Sequence, residues 1–172
     1  KTRDSISGNE FISMADNHDG GILLGTSLND IYLFKEGKFQ KIIHIPISQA
    51  NIKVLLKDNH KNIWAGTEHG LFIIPYPYQK SYCYFSTDYI FSMIIDPEQR
   101  IWLRTTDGHT TTSYICNGWD VNGLKNIRQL EKSSSSMMVT FKGKIINGLW
   151  GIDYKKGLVK INENGISSHY QA

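Results

Sequence analysis

Cysteine is scarce in this chain: Cys83 and Cys116 are the two it has among 172 residues. Two thiols cannot build a disulfide framework, and neither has a further Cys or His at zinc-site spacing, so they read as half-buried strand residues. Long apolar runs are missing too. A stretch such as Leu71 to Ile74 is far short of the ~20 residues an apolar helix needs to cross a bilayer. No charged segment followed by an apolar one opens the chain as a leader would. Nor is there an excess of one charge, since 19 basic and 16 acidic side chains leave a formal +3. Without a basic stripe or an Arg-rich helix, nucleic acid is not an expected partner, and neither is membrane insertion. The chain opens on Lys1 and is expected to be part of a longer protein. These absences leave a globular chain, with 40% hydrophobic and 20% charged residues.

What is present is a β rhythm. Apolar residues alternate or cluster in runs of five to eight between Gly, Asn, Asp and Lys turns, and no 3.6-residue period persists. One unit recurs. Residues 58–72 read DNHKNIWAGTEHGLF, and 38 positions after Trp64 the pattern returns around Trp102, with Asp96, Thr105 and Gly108 in the roles of Asp58, Thr67 and Gly70. Upstream, Leu23 stands in for the Trp, with Asp16 as the matching acid and one extra turn residue between them. A weaker fourth copy surrounds Trp150. The period is about forty residues.

Each repeat divides into four strands. The second predicts strands at 51–58, 62–68, 71–77 and 81–86, and the third at 89–96, 100–106, 110–116 and 119–125. The first predicts 11–16, 22–27, 31–36 and 38–45, and the fourth 136–141, 144–152, 157–161 and 165–171. Four strands per forty residues is the arithmetic of a β-propeller blade, whose two faces are buried only when blades stack. The fold class expected is therefore all-β, with about four four-stranded antiparallel blades at 9–48, 49–87, 88–128 and 129–172, forming part of a larger propeller. The Trp is expected to fill the wedge between sheets, with Gly25 and Gly66 letting the neighbouring backbone approach and Gly70 and Gly108 supplying positive φ. The repeated Asp residues are expected to accept hydrogen bonds from turn amides.

The order Asp58, Asn62-Ile63-Trp64-Ala65-Gly66-Thr67, Gly70-Leu71-Phe72 resembles the two-component regulator propeller repeat. Asp96, Arg100-Ile101-Trp102-Leu103-Arg104-Thr105 and Gly108 resemble a second copy, and Asp16, Gly21-Ile22-Leu23-Leu24-Gly25-Thr26 another. The resemblance spans roughly residues 11–161. It departs at Arg104, where the other repeats carry Gly, at Leu23, and at Asn29-Asp30, which replace the turn Gly. The resemblance implies a periplasmic sensor region of a hybrid two-component system, of the kind best represented in Bacteroidetes, responding to an oligosaccharide. It implies no cofactor and no catalysis by this segment. The other blades and sensor domains of the same protein are implied as partners, and so is self-association.

Read for chemistry, the six His occur without metalloprotease spacing, and three of them (His18, His60, His69) fall in turns, so no metal site is expected. Sugar recognition needs aromatic faces beside planar polar groups. Tyr76, Tyr78, Tyr82 and Tyr84 crowd the end of the second repeat, and Arg104, Asp107, His109 and Trp119 the third. Tyr78, Arg104, Asp107, His109 and Trp119 are the candidate ligand-binding residues. Arg104 either faces a central channel or pairs with a neighbouring carboxylate. Two other functional classes stand beside the sensor: a dimerisation or interaction propeller, and a lyase or glycosidase, which would need a convergent acid–base group not visible in the repeats.

Overall fold

The computed structural model describes residues 10–48, 50–130, 135–141, 148–153, 157–162 and 165–170. Every regular element among the described residues is a β-strand, and none of them forms a helix long and apolar enough to cross a membrane. The chain divides into two compact units, Lys1–Ile90 and Phe91–Ala172.

In the first unit, β1 (Phe11–Asp16), β2 (Ile22–Thr26), β3 (Asp30–Lys35) and β4 (Lys38–His44) form one antiparallel meander. A second meander follows with β5 (Ile52–Lys57), β6 (Ile63–Thr67), β7 (Gly70–Ile74) and β8 (Tyr82–Tyr84). The two sheets pack face to face through one apolar core. Leu23 and Ile31 of the first meet Leu55, Ile63, Ala65, Phe72 and Ile74 of the second, with Ile45 and Ile52 between. Gly25 and Gly66 mark the close approaches. A Cβ on Gly25 would lie 2.6 Å from Ile52 Cγ2, and one on Gly66 would lie 2.8 Å from Ile90 Cγ2. What comes close are side chains, Ser13 and Val54 from the same meander and a β-branched Ile from the first strand of the next.

In the second unit, β9 (Tyr89–Ile95, which begins at the end of the first), β10 (Ile101–Thr106), β11 (Thr111–Cys116) and β14 (Arg128–Gln129) form the third meander. The predicted fourth strand at 119–125 is instead a separate two-stranded ribbon, β12 (Trp119–Asp120) with β13 (Gly123–Leu124). Its tight Val121-Asn122 turn folds the segment on itself before the chain reaches the sheet edge. The last meander is β15 (Ser135–Phe141), β16 (Gly148–Asp153), β17 (Gly157–Asn162) and β18 (Gly165–Tyr170). Trp102, Ile115 and Leu130 form this unit's apolar cluster, with Ile94 and Ile161 against it. Ser133, in the serine run, lies outside the described residues, whereas Ser135 opens β15.

Strand register fixes which residues are equivalent. Trp64 stands between Leu56 and Ile73, Trp150 between Val139 and Lys160, and Leu23 between Ala15 and Leu33, so all three hold one position. The same register corrects the expected acid of the first blade. Asp16 pairs with Ile22 as Lys57 pairs with Ile63, so Asn17, not Asp16, matches Asp58, and no turn residue is inserted. The backbone bonds agree: Asn17 N–H donates to Gly21 O as Asp58 N–H donates to Asn62 O.

Candidate functional site

The turns at Asp58 and Asp96 are carboxylate-centred knots. Asp58 Oδ1 accepts the amides of His60 and Asn62 at 2.9 Å, and Oδ2 accepts Asn62 Nδ2 and Trp64 Nε1, also at 2.9 Å. Asp96 accepts the amide of Arg100 at 2.9 Å, its Nε at 2.7 Å and Trp102 Nε1 at 2.8 Å. Both carboxylates are buried and fully engaged, which is a structural assignment rather than an acid–base one. The turn-amide role was legible in the sequence; the indole bond was not.

The five candidate binding residues are divided between the two units. Tyr78 belongs to the first unit, has positive φ of 68°, and packs half-buried against the core cluster with Tyr76 edge-on to it. Burial, followed by the negative charge of Asp19, pushes its phenol above the ordinary value. The other four lie in the second unit. Arg104 is 1% exposed, and its guanidinium lies 5.7 Å from the centre of the Phe91 ring. Asp107 and His109 sit in the exposed β10–β11 loop, where Asp107 Oδ1 accepts the amides of His109 at 2.8 Å and Thr110 at 2.6 Å. Those amide bonds, Thr110's first, hold the Asp107 carboxyl below the usual range. Trp119 is buried on the β12 ribbon, past the opposite end of the β10–β11 hairpin. The third-blade loop is longer than that of the second, so Gly108, with φ of 90°, occupies an exposed tip, while Gly70, with φ of 112°, is buried at the start of β7. Asn29, with φ of 62°, supplies the positive φ of the turn between β2 and β3.

A different constellation assembles between the outer strands of the first unit. Asp30 and His44 are register partners across β3 and β4, which puts their side chains side by side. His44 Nδ1 and Lys41 Nζ lie 2.8 and 2.7 Å from Asp30 Oδ1. Burial pushes the Asp30 carboxyl up, but the hydrogen bonds from Lys41 and His44 outweigh it and leave the group below its ordinary value. With Nδ1 so engaged, the imidazole's other nitrogen remains for a ligand. His44 lines a cleft of about 480 Å³ whose other wall is Gln79, Lys80 and Tyr82. A second cavity of about 460 Å³ shares Pro46 and Ser81 with it and is lined also by His69, Phe72 and Cys83. The space exists because β8 has three residues where β4 has seven. Cys83 and Cys116 are free thiols; burial raises both, that of Cys116 to about 11. Among the described residues no group of three His, Cys, Asp or Glu could hold a metal ion.

No family model and no curated protein matches the sequence. Solved structures do match. The chain aligns over 98% of its length with a catalytically inactive virginiamycin B lyase from Staphylococcus aureus, solved with quinupristin (TM-score 0.71, 15% identity, 57% of that chain). It aligns over 99% with the extracellular domain of a hybrid two component system from B. thetaiotaomicron (TM-score 0.69, 17% identity, 23% of that chain). Over 88% it aligns with a gluconolactonase from Xanthomonas campestris (TM-score 0.62, 12% identity, 59% of that chain). This chain is an all-β protein of propeller-type blades. It spans little more than half the length of the two enzymes and about a quarter of the sensor domain.

Proposed function

We propose that the chain is a ligand-binding propeller segment of an extracytoplasmic two-component sensor, with an oligosaccharide as its ligand and no catalytic role of its own. The observation that carries this reading is the second blade. Its Asp58–Trp64–Gly66–Thr67–Gly70 order resembles the two-component regulator repeat, and the fold is shared with a two component system's extracellular domain. A ligand seated on the blades would act by favouring one arrangement of the sensor over another, which requires only unequal affinity for the two. The test is a thermal-shift panel of neutral and acidic oligosaccharides, since a ligand that binds only the folded chain raises its melting temperature by mass action. A flat response across the panel from a well-folded protein sinks the reading. The lyase and lactonase likenesses leave an enzyme to be tested alongside, and neither quinupristin nor gluconolactone is expected to be turned over.

One observation favours a second reading, that of an interaction propeller. Met14 and Ile22 of the first blade are 72% and 42% exposed, whereas Leu55 and Ile63 at the equivalent register positions of the second are 5% and 0% exposed. Phe11, stacked on Phe39 at 5.6 Å, extends that apolar face. Concentration-dependent association in sedimentation, abolished by Met14→Glu, would favour this reading over ligand sensing.

A further inference from the structure

The geometry points to the cleft between β4 and β8 as a binding site for an acidic saccharide, one whose pyranose rings carry carboxylates. This rests on the sensor reading and gives it a place and a ligand class.

Three features of the cleft lead there. Its volume, about 480 Å³, falls in the range of about 300–1,000 Å³ typical of small-ligand sites, and a neighbouring cavity of about 460 Å³ shares Pro46 and Ser81 with it. The lining is polar and planar where a sugar demands it. Tyr82, 38% exposed, offers an aromatic face for pyranose C–H groups, and the Gln79 amide and Ser81 hydroxyl offer hydrogen bonds to ring hydroxyls. Charge then selects among sugars. Lys80 and His44 line the cleft, His69 lines the neighbouring cavity, and no carboxylate lines either. Asp30, which touches the cleft residue His44, is already held by Lys41 and His44. An anionic ring entering the cleft therefore meets an ammonium without facing a repelling carboxylate, and Lys80 is exposed enough to follow it.

The site is also prepared before a ligand arrives. Asp30 fixes the His44 ring through Nδ1, and the ladder fixes Asp30, so a ligand does not have to order that side of the cleft. The loop from Pro75 to Lys80 is pinned by the Tyr78 N–H bond to Pro75 O at 2.7 Å, which sets where Gln79 and Lys80 begin.

The experiment uses the full chain with trigalacturonate and its fully methyl-esterified form, which has nearly the same shape and no charge, and reads affinity by calorimetry. The acid is expected to bind and the ester to bind at least about tenfold more weakly, the worth of one charge-assisted hydrogen bond. Lys80→Ala should remove that difference, and Tyr82→Ala should weaken both probes; both side chains are exposed, so folding survives and circular dichroism checks it. Equal binding of acid and ester overturns the acidic assignment. Acid binding that ignores both substitutions, or no binding of either probe, overturns the cleft. In those last cases a thermal shift with any other glycan that is indifferent to Lys80→Ala and Tyr82→Ala keeps the sensor reading while this site falls.

Discussion

Trp64 donates its indole N–H to Asp58 across 2.9 Å, and Trp102 repeats the bond to Asp96 at 2.8 Å. The bond ties the strand that fills the space between sheets to the turn that precedes it, so turn and packing stand or fall together. Trp64→Phe should keep much of the ring but leave a buried carboxylate short of one donor, at a cost of at least about 1.5–3 kcal/mol. Asp58→Asn should cost less than Asp58→Ala, because the first blade already builds this turn on Asn17. Urea denaturation ranks the three, and an alanine variant as stable as the asparagine one would contradict the assignment.

Gly66 predicts a steric penalty. A methyl there would sit 2.6 Å from Val54 Cγ1 and 2.8 Å from Ile90 Cγ2. Gly66→Ala should therefore destabilise by about 1–3 kcal/mol, the usual cost of overpacking. Ile90→Ala removes the atoms on the far side, so the double variant should lose less than the sum of the two single losses. Strict additivity in melting experiments would argue against direct contact.

Lys57 joins the two sheets of the first unit. Its buried ammonium donates to Asn17 O at 2.8 Å, Asn17 Oδ1 at 2.9 Å and Asp19 Oδ2 at 3.0 Å. Lys57→Met keeps the stem but leaves the Asn17 acceptors without their donor, and should cost about 1–3 kcal/mol. Asp19→Ala removes a partner whose side chain is 58% exposed and should cost clearly less than Lys57→Met, because an exposed ion pair is screened by solvent. Equal losses in chemical denaturation would mean that the ion pair, not the Asn17 contacts, does the holding.

Asp30 predicts an acid-side loss. Its carboxyl lies below the ordinary Asp value in the fold, so the folded state favours the ionised form. The stabilisation is complete above the ordinary Asp value and disappears as pH falls through the lower folded one. The stability difference between wild type and Asp30→Asn should be constant above about pH 5 and shrink below about pH 4. A difference that widens on acidification would reverse the sign and refute it.

Much of the architecture was legible because a blade is local. Its strands are consecutive, its turns carry Gly, Asn and Asp, and its period repeats, so four meanders could be read from 172 residues. The errors have local causes as well. Asp16 looked like the missing acid because it is an acid, yet pairing with Ile22 places it where Lys57 stands in the next blade. The 119–125 segment alternates like a strand but carries its own tight turn.

The candidate site was much less legible. Arg104 was singled out as an exception in the repeat, and it is one, but its side chain is buried against Phe91. Asp107, His109 and Trp119 are neighbours in sequence and sit towards opposite ends of a hairpin. Tyr82 was visible within a tyrosine cluster, but nothing marked its proximity to His44 across the cleft.

What the sequence alone determined is the blade: strand rhythm, turn chemistry and the small-residue positions that stacking requires, all set by interactions within about forty residues. The tertiary structure decided which side chains meet. Counting back along the β3–β4 ladder from its Lys35–Lys38 end would set Ile43 opposite Asp30, yet an irregularity between Ile31 and Tyr32 shifts the register and brings His44 there instead. A one-residue slip exchanges the faces of a strand, and with them the side chain that the cleft receives.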